Sequence, residues 1–213
     1  VHGNALRLDW NEVLPAERCS YVLGNPPFIG YSYQTQAQKE DMALVMQGIH
    51  GAGVLDFVAA WYVKAVRYVQ SHSACRVAFV STNSICQGEQ VSILWGWMLA
   101  QGVQIQFAHR TFKWSNEAKG KAAVHCVIIG FGVEDVANKI IFEYEDIKGE
   151  PLAVPATNIN PYLVDGLNAL LESRRKPICN VTAMLNGGKP TEGGNLLLDE
   201  DAKNQLLALE PQA

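Results

Sequence analysis

The sequence lacks the features that mark several common classes of protein. Its 213 residues contain no Cys-x-x-Cys pair, so neither a zinc ribbon nor a thioredoxin-type redox motif is present. No stretch approaches the roughly 18 consecutive apolar residues of a membrane-spanning helix. The histidines never pair at metal-ligand spacing, and no Gly-x-Ser-x-Gly nucleophile elbow occurs. We therefore expect neither a metal site nor a membrane partner.

The charge and cysteine content exclude a further class of protein and indicate the compartment. The chain has 17 lysines and arginines against 21 aspartates and glutamates, a net charge of −4 and a pI near 5.7. This balance excludes a strongly basic protein that wraps nucleic acid, but not a DNA enzyme whose main DNA-binding part lies elsewhere. The cysteines are scattered, and at this chain length we expect buried thiols in a reducing, cytoplasmic compartment: Cys19, Cys75, Cys86, Cys126 and Cys179.

Apolar content and periodicity predict an α/β fold. Helical spacing of apolar residues predicts helices at 33–47, Leu55–Val69 and Gly88–Ala100. Apolar or alternating runs predict four strands: Ser20–Gly24, Arg76–Thr82, Val103–Phe112 and Ala122–Phe131. Because helices alternate with buried strands, we expect a mainly parallel sheet. The connection between the last two strands is too short for a crossover helix, which predicts an antiparallel pair near the end of the sheet.

The composition changes after about residue 150, where prolines and Gly-Gly pairs become frequent. Only one helix is predicted there, at roughly Pro161–Glu172. We therefore divide the chain into an α/β part, residues 1–150, and a connector, residues 151–213.

The most informative residues are Asn25-Pro26-Pro27-Phe28, which directly follow the first predicted strand. Each proline fixes φ and removes an N–H, and the residue before a proline is pushed toward extended geometry. The turn is therefore stiff, and its main-chain and Asn25 side-chain carbonyl oxygens offer two acceptors that converge on one point. With proline at about 5% of residues, an Asn/Asp-Pro-Pro-aromatic run is expected by chance in fewer than ~1 in 100 chains of this length.

Two converging acceptors suit an –NH2 group. The exocyclic amine of a nucleobase is a poor nucleophile, because its lone pair is delocalised into the ring. Acceptors on both of its hydrogens would draw it toward tetrahedral geometry, and fixed dipoles of this kind are usually the largest catalytic contribution. The ring of Phe28 would stack on the base, which is worth roughly 1–3 kcal/mol.

The Asn-Pro-Pro-Phe turn after a strand resembles the catalytic motif of amino-methylating, S-adenosylmethionine-dependent methyltransferases, chiefly the N6-adenine DNA methylases. Further segments resemble, in order, the methylase region of MmeI-like fused restriction–modification enzymes. They cover nearly the whole chain: residues 3–10, 24–30, 81–90, 112–118, 122–131, 158–163 and 187–194. The first motif is specific to the methyltransferase class, whereas the later ones are weak individually and agree in order.

This resemblance implies the fold, the reaction and the partners. Residues 1–150 would be the C-terminal portion of a Rossmann-like class I methyltransferase domain, and residues 151–213 a connector and the start of a target-recognition region. The reaction would transfer a methyl group from S-adenosylmethionine to N6 of an adenine flipped out of duplex DNA. The partners would be double-stranded DNA, an upstream methyltransferase half and a downstream target-recognition domain.

The resemblance also implies roles for individual residues. Asn25 and Pro26 of the motif would hold the amine, followed by Pro27, and Phe28 would stack on the base. Asn4 falls where related enzymes often place an acidic residue against the cofactor adenine. Asp56 would either approach the cofactor or cap the helix that follows it. A second aromatic on the other face of the base would come from Phe112 or Trp114. Apart from the resemblance, Arg110 and Lys113 belong to a local basic stretch that would either touch phosphate or form a solvated hairpin rim.

The Gly-rich turn that holds the methionine part of the cofactor lies upstream of Asn4 in the family's motif order, so we expect it outside this chain, which lacks an initiator Met. Gly48–Gly53 imitates such a turn but follows a helix-like segment. Three alternatives stay open: methylation of guanine N2 in RNA, methylation of glutamine in protein, and a fragment that binds or scaffolds without turnover.

Overall fold

The computed structural model describes residues 1–114, 124–174, 179 and 198–209. Contacts divide the chain into two compact units, Val1–Ser173 and Arg174–Ala213. The described part of the second unit contains a helix over Glu200–Leu209, whose acidic first turn suits the positive end of a helix dipole. The first unit contains the sheet and every candidate site residue.

Six strands form one mixed sheet in the first unit, in the order β1-β2-β4-β3-β5-β6. Their bounds are β1 Tyr21–Gly24, β2 Arg76–Thr82, β3 Gln104–Trp114, β4 Val124–Gly132, β5 Lys139–Glu143 and β6 Leu152–Ala156. The pairs β1–β2 and β3–β5 are parallel, whereas β2–β4, β3–β4 and β5–β6 are antiparallel.

The prediction of a mainly parallel sheet is wrong for the neighbouring pairs, because the β3–β4 hairpin inserts its return strand between β2 and β3. That hairpin is the predicted antiparallel pair, so the pairing is confirmed. Its expected place near the end of the sheet is wrong, because β4 and β3 lie in the middle of the strand order. The strands β1, β2, β3 and β5 nevertheless run in one direction. Their carboxyl ends therefore share one edge of the sheet, here called the carboxyl edge.

The three helices predicted before residue 150 are present: the first two are shorter than predicted, and the third is interrupted by a π-helical turn. In the first unit they are α1 Trp10–Val13, α2 Gln36–Val45, α3 Ala59–Val69, α4 Gly88–Gln90 and α5 Gly96–Ala100. A π-helical turn, Val91–Trp95, joins α4 to α5. Single 3-10 turns lie at Ala16–Arg18, Tyr31–Tyr33, Ala52–Val54 and Asn83–Cys86. The start of α2 is defined by a capping box in which Thr35 and Gln38 satisfy each other's backbone N–H groups.

One face of the sheet is covered, and Tyr62 of α3 is at the centre of that contact. Its ring stacks on Phe131 of β4 at 5.3 Å and meets Phe79 of β2 edge-on at 5.3 Å. Tyr62 is fully buried, and its hydroxyl forms a 2.7 Å hydrogen bond with Ser81 Oγ. Trp95 of the π-helical turn packs on the same ring at 6.0 Å. Aromatic burial of this kind holds α3 firmly against β2 and β4.

The opposite face of the sheet is open in the described part of the chain. Tyr21 and Leu23 of the edge strand β1 are 63% and 73% exposed. They border an apolar groove of about 990 Å³ that crosses the sheet to Phe107, Ile140 and Phe142. We call this surface the open face.

Residues 161–172 do not form the predicted helix. The Asn160 side-chain oxygen accepts hydrogen bonds from the backbone of Tyr162 at 3.0 Å and of Val164 at 3.4 Å, and Leu163 adopts a positive φ of 58°. A side chain that captures local donors in this way favours a turn over a helix. The compact unit extends to Ser173, so the boundary predicted at residue 150 falls inside it, because β6 pairs with β5 in the same sheet.

A close approach on the open face can be tested by mutation. A Cβ added at Gly130 would lie 2.0 Å from Phe107 Cε1, whereas nothing lies within 4 Å of a Cβ at Gly53. We predict that Gly130→Ala lowers stability by about 1–3 kcal/mol through overpacking, measured by thermal denaturation. Gly53→Ala is the control and should cost nothing. An equal Gly130→Ala penalty in a Phe107→Ala background would contradict the contact.

Candidate active site

The Asn25–Phe28 turn lies at the carboxyl edge, directly after β1. Gly24 is the last residue of the strand, and a Cβ there would lie 3.1 Å from the Phe79 ring, so the strand end sits tightly on the core. Asn25 and Pro27 are exposed, Pro26 is buried and Phe28 is half-buried. The Asn25 amide is therefore accessible to a partner, while Pro26 anchors the turn to the body of the protein.

Asp56 connects the segment after this turn to two other segments. Its buried carboxylate accepts the Tyr31 backbone N–H at 3.1 Å through Oδ1 and the Ser84 hydroxyl at 2.5 Å through Oδ2. The next residue, Phe57, donates its backbone N–H to the Ile29 carbonyl at 2.8 Å. The loops after β1, before α3 and after β2 are thus bonded to one another.

The expectation that Asp56 caps a helix is wrong. The cap residue of α3 is Val58, which makes no side-chain hydrogen bond to the helix, and the Asp56 carboxylate bonds to other segments. A role for Asp56 toward the cofactor stays a prediction.

Sequence analysis missed the partners of Asp56. Ser84 bonds to the carboxylate and also to Thr82 Oγ1 at 2.8 Å, and Gln90 accepts the Asp56 backbone N–H at 3.1 Å. Ser84 and Gln90 both lie in the 81–90 segment that carries part of the family resemblance, and that resemblance was the signal that could have found them. With Tyr31 and Tyr33 they line a pocket of about 560 Å³ beside the turn.

Asn4 is held near α2. Its amide nitrogen donates to Asp41 at 2.8 Å, and its amide oxygen accepts the Leu6 backbone N–H at 2.9 Å. Arg7 donates to the same carboxylate at 2.6 Å. Burial alone would raise the pKa of the Asp41 carboxyl, but the bonds from Arg7 and Asn4 outweigh it and lower that pKa. Asn4 therefore has a defined orientation, set by a charged partner.

The other predicted contacts lie at the end of β3. This end is on the carboxyl edge, like the turn. However, β2 and β4 lie between β3 and β1, so the two are roughly 14 Å apart across the sheet, at about 4.8 Å per strand, and the end of β3 also extends further along the strand direction. Arg110 forms a 3.0 Å ion pair with Glu143, and the Lys113 backbone N–H donates to Ile147 O at 2.7 Å. Trp114 is the last residue of β3. These residues therefore lie on the carboxyl edge, as the turn does, but they do not approach Asn25.

Phe112 belongs to an aromatic cluster that sequence analysis did not foresee. Its ring stacks on Tyr144 at 5.4 Å, and His109 stacks on Phe142 at 4.2 Å. The Tyr144 hydroxyl lies 2.8 Å from His109 Nδ1, and burial lowers the pKa of His109. Phe142 and Tyr144 lie beside β3 because β5 pairs with β3. No local sequence pattern predicts this pairing.

The structure also describes features that bear on metal binding, membrane spans and cysteine reactivity. Among the described residues, no three His, Cys, Asp or Glu side chains come together as a metal would require. None of the helices within the described ranges is long and apolar enough to span a bilayer.

Four cysteines are buried as expected, whereas Cys179 is exposed. Burial raises the pKa of Cys126 to about 11, which leaves its thiol unreactive at neutral pH.

The Gly48–Gly53 segment follows α2, as the sequence indicates, and not a strand. Gly48 and Gly51 have φ values of 83° and 78°, which only glycine adopts readily. These glycines reverse the chain between α2 and the Ala52–Val54 turn.

The Asn-Pro-Pro-Phe turn, which resembles the motif of amino-methylating methyltransferases, lies at the carboxyl end of β1 in a mixed α/β sheet. Residues 1–143 match the family model for the MmeI DNA-methyltransferase domain. The chain belongs to this family.

Two relatives extend the comparison. DNA methyltransferase A of Bacillus subtilis (strain 168) is 43% identical over 216 residues, which is 98% of this chain and 24% of that protein. The solved structure of the type IIL restriction–modification enzyme MmeI in complex with DNA is 55% identical, with a TM-score of 0.86, over 99% of this chain and 28% of that one. The chain therefore spans about a quarter of the length of these relatives.

Proposed function

We propose that this chain forms the amine-binding part of an S-adenosylmethionine-dependent DNA methyltransferase that modifies adenine N6 within a restriction–modification system. The observation that carries the proposal is the exposed Asn25 amide at the carboxyl edge, on a turn anchored by buried Pro26. Membership of the MmeI family supports the choice of substrate, as does the complex that the 55% identical MmeI forms with DNA.

The chemistry follows from two neutral acceptors. Asn25 Oδ1 and the Pro26 carbonyl oxygen would accept the two hydrogens of the adenine amine and localise its lone pair. S-adenosylmethionine, when bound, would supply the methyl group: the N–C bond would form as the methyl–sulfur bond breaks, with the electron pair of that bond left on sulfur. The nitrogen becomes acidic once it is alkylated, so its extra proton passes to water and no strong base is needed. Phe28 would stack on the adenine after it has left the duplex.

Asn4 suits the adenine of the methyl donor. An asparagine amide offers two N–H groups and an oxygen with two lone pairs. The bonds to Asp41 and to Leu6 use one of each, and Asn4 is exposed. One donor and one acceptor remain, and these are the two kinds of group that bind the donor and acceptor of an adenine edge. The asparagine can therefore replace the acidic residue that related enzymes place here.

DNA contacts would extend along the carboxyl edge. Arg110 and Lys113 lie at the end of β3 on this edge, where cations could touch phosphates on either side of the flipped adenine. The Arg110–Glu143 pair is about half exposed at both side chains, so phosphate can compete with the carboxylate for the guanidinium.

The open face suggests where the rest of the protein packs. Sheets with mostly parallel strand directions normally have helices on both faces, and here α3 and α5 lie against one face. The free edge of β1 and the exposed side chains of Tyr21 and Leu23 would then contact an upstream methyltransferase half and complete a Rossmann-like class I sheet. A downstream target-recognition domain would follow the second unit.

Asn25→Ala is the decisive test of the chemistry. In the full-length protein we expect methyl transfer to fall at least about 10²–10³-fold, the cost of removing one preorganised dipole. Labelled methyl transfer is measured on duplex DNA, with RNA and a release-factor-like protein as parallel substrates. Asn25→Asp keeps an acceptor and should retain part of the activity. Wild-type turnover by Asn25→Ala with unchanged DNA binding would reject the mechanism.

Phe28 gives a second test, because stacking needs an aromatic face and no hydroxyl. Phe28→Tyr and Phe28→Trp should keep substantial activity. Phe28→Ala should lose about 1–3 kcal/mol of base binding, or roughly 5- to 150-fold. The loss should be smaller on a mismatched target, where extruding the base costs less.

The outcome for a purely structural Phe28 is different. Phe28→Ala would then cost about 3–5 kcal/mol of stability and impair paired and mismatched targets equally. Measuring the melting temperature beside both activities separates the two roles.

Leu23→Ser tests the packing of the open face in the full-length protein. If an upstream half covers Leu23, the variant should lose about 1.5–3 kcal/mol of stability, the value of a buried leucine. Leu44→Ser on α2, where the leucine is 50% exposed, is the matched control. A change within about 0.5 kcal/mol at Leu23 would mean that this side chain stays in water.

A further inference from the structure

Three segments of the chain meet at one buried carboxylate beside the amine-binding turn. Asp56 is 8% exposed, and it bonds to the Tyr31 backbone N–H and to the Ser84 hydroxyl. Its own backbone N–H donates to Gln90 Oε1 at 3.1 Å. The Tyr31 amide is only six positions after Asn25, so the far end of the turn is tied to the start of α3.

We propose that Asp56 is a positioning residue for the methyl transfer, and this inference rests on the proposed function. Asn25 is fixed on one side by β1, and Pro26 and Pro27 restrict φ but do not determine where the segment goes next. The Asp56 carboxylate, together with the Phe57–Ile29 backbone bond, determines it from the other side. The two acceptor oxygens of the turn are therefore held between two fixed ends.

The geometry favours this role over a direct contact with the reacting groups. Each carboxylate oxygen already accepts a hydrogen bond from the protein, at 3.1 Å and 2.5 Å. Buried carboxylates bonded in this way hold structure in place, because breaking one bond leaves a largely buried acceptor without its partner. The second bond leads through Ser84 to Thr82, the last residue of β2. Asp56 thus couples the turn to a central strand.

The kinetic test compares three variants of the full-length protein. Asp56→Ala should lower kcat about 10²-fold, the effect of a misplacement near 1 Å, while KM for DNA changes little. Asp56→Asn should restore most of kcat, because its amide oxygen can accept from Tyr31 and its –NH2 can donate to Ser84. Ser84→Ala should have an intermediate kcat, because the bond to Tyr31 remains.

Amide hydrogen exchange supplies a readout that does not depend on activity. The Tyr31 amide should be protected in the wild type, lose protection in Asp56→Ala and regain it in Asp56→Asn. Asp135→Asn is the control for general destabilisation, because Asp135 pairs with the buried Lys139 at 2.5 Å, away from the turn. It should lower the melting temperature while leaving kcat and Tyr31 protection unchanged.

The outcomes separate the two hypotheses. Wild-type kcat in Asp56→Ala, or a loss of kcat with unchanged Tyr31 protection, would overturn the positioning role. Absence of DNA methylation by the wild-type protein would overturn the proposed function instead. Tyr31 protection would then still decide whether Asp56 holds the turn.

Discussion

The packing of α3 on the sheet is the constraint on which the candidate site depends. Tyr62 is fully buried between Phe79 of β2 and Phe131 of β4, so α3 cannot slide or tilt without opening the core. The residues just before α3 inherit this fixed position, and Asp56 is among them. The position of the segment after the turn therefore depends on apolar burial, which acts through the bonds of Asp56 to Tyr31 and of Phe57 to Ile29.

The same sheet is stabilised unevenly. The buried side has a continuous aromatic and aliphatic core, whereas the open face shows a cluster of stacked rings around His109 and an edge strand with exposed Tyr21 and Leu23. An exposed apolar groove of about 990 Å³ is unusual on a protein surface that stays in contact with water. This groove is the surface that the proposed upstream half would cover.

Structural features that depend on adjacent residues are predictable from the sequence, whereas those that depend on contacts between distant residues are not. The bounds of Arg76–Thr82 are predicted correctly, because its Val and Phe residues favour a strand. The expectation that both faces of this strand are covered is wrong, since only alternate residues are buried. Strands β5 and β6 are absent from the sequence-based prediction. In β6, Pro155 indicates a loop, although an edge strand tolerates a proline. The Asn-Pro-Pro-Phe turn was visible because its stiffness is encoded in adjacent residues. The bond between Asp56 and Ser84 spans 28 positions, and only the folded sheet brings the two together.

A carboxylate beside a reacting amine invites the interpretation that it is a general base. The contacts of Asp56 argue against it, because both of its carboxylate oxygens accept hydrogen bonds from the protein and the residue is only 8% exposed. The proposed chemistry does not need a base either, since the amine loses its proton only after alkylation has made it acidic. A neutral acceptor pair at Asn25 and Pro26, held in place by a charged group that never touches the substrate, satisfies both requirements. The negative charge then contributes rigidity to the site and leaves the proton of the amine in place until the new bond has formed.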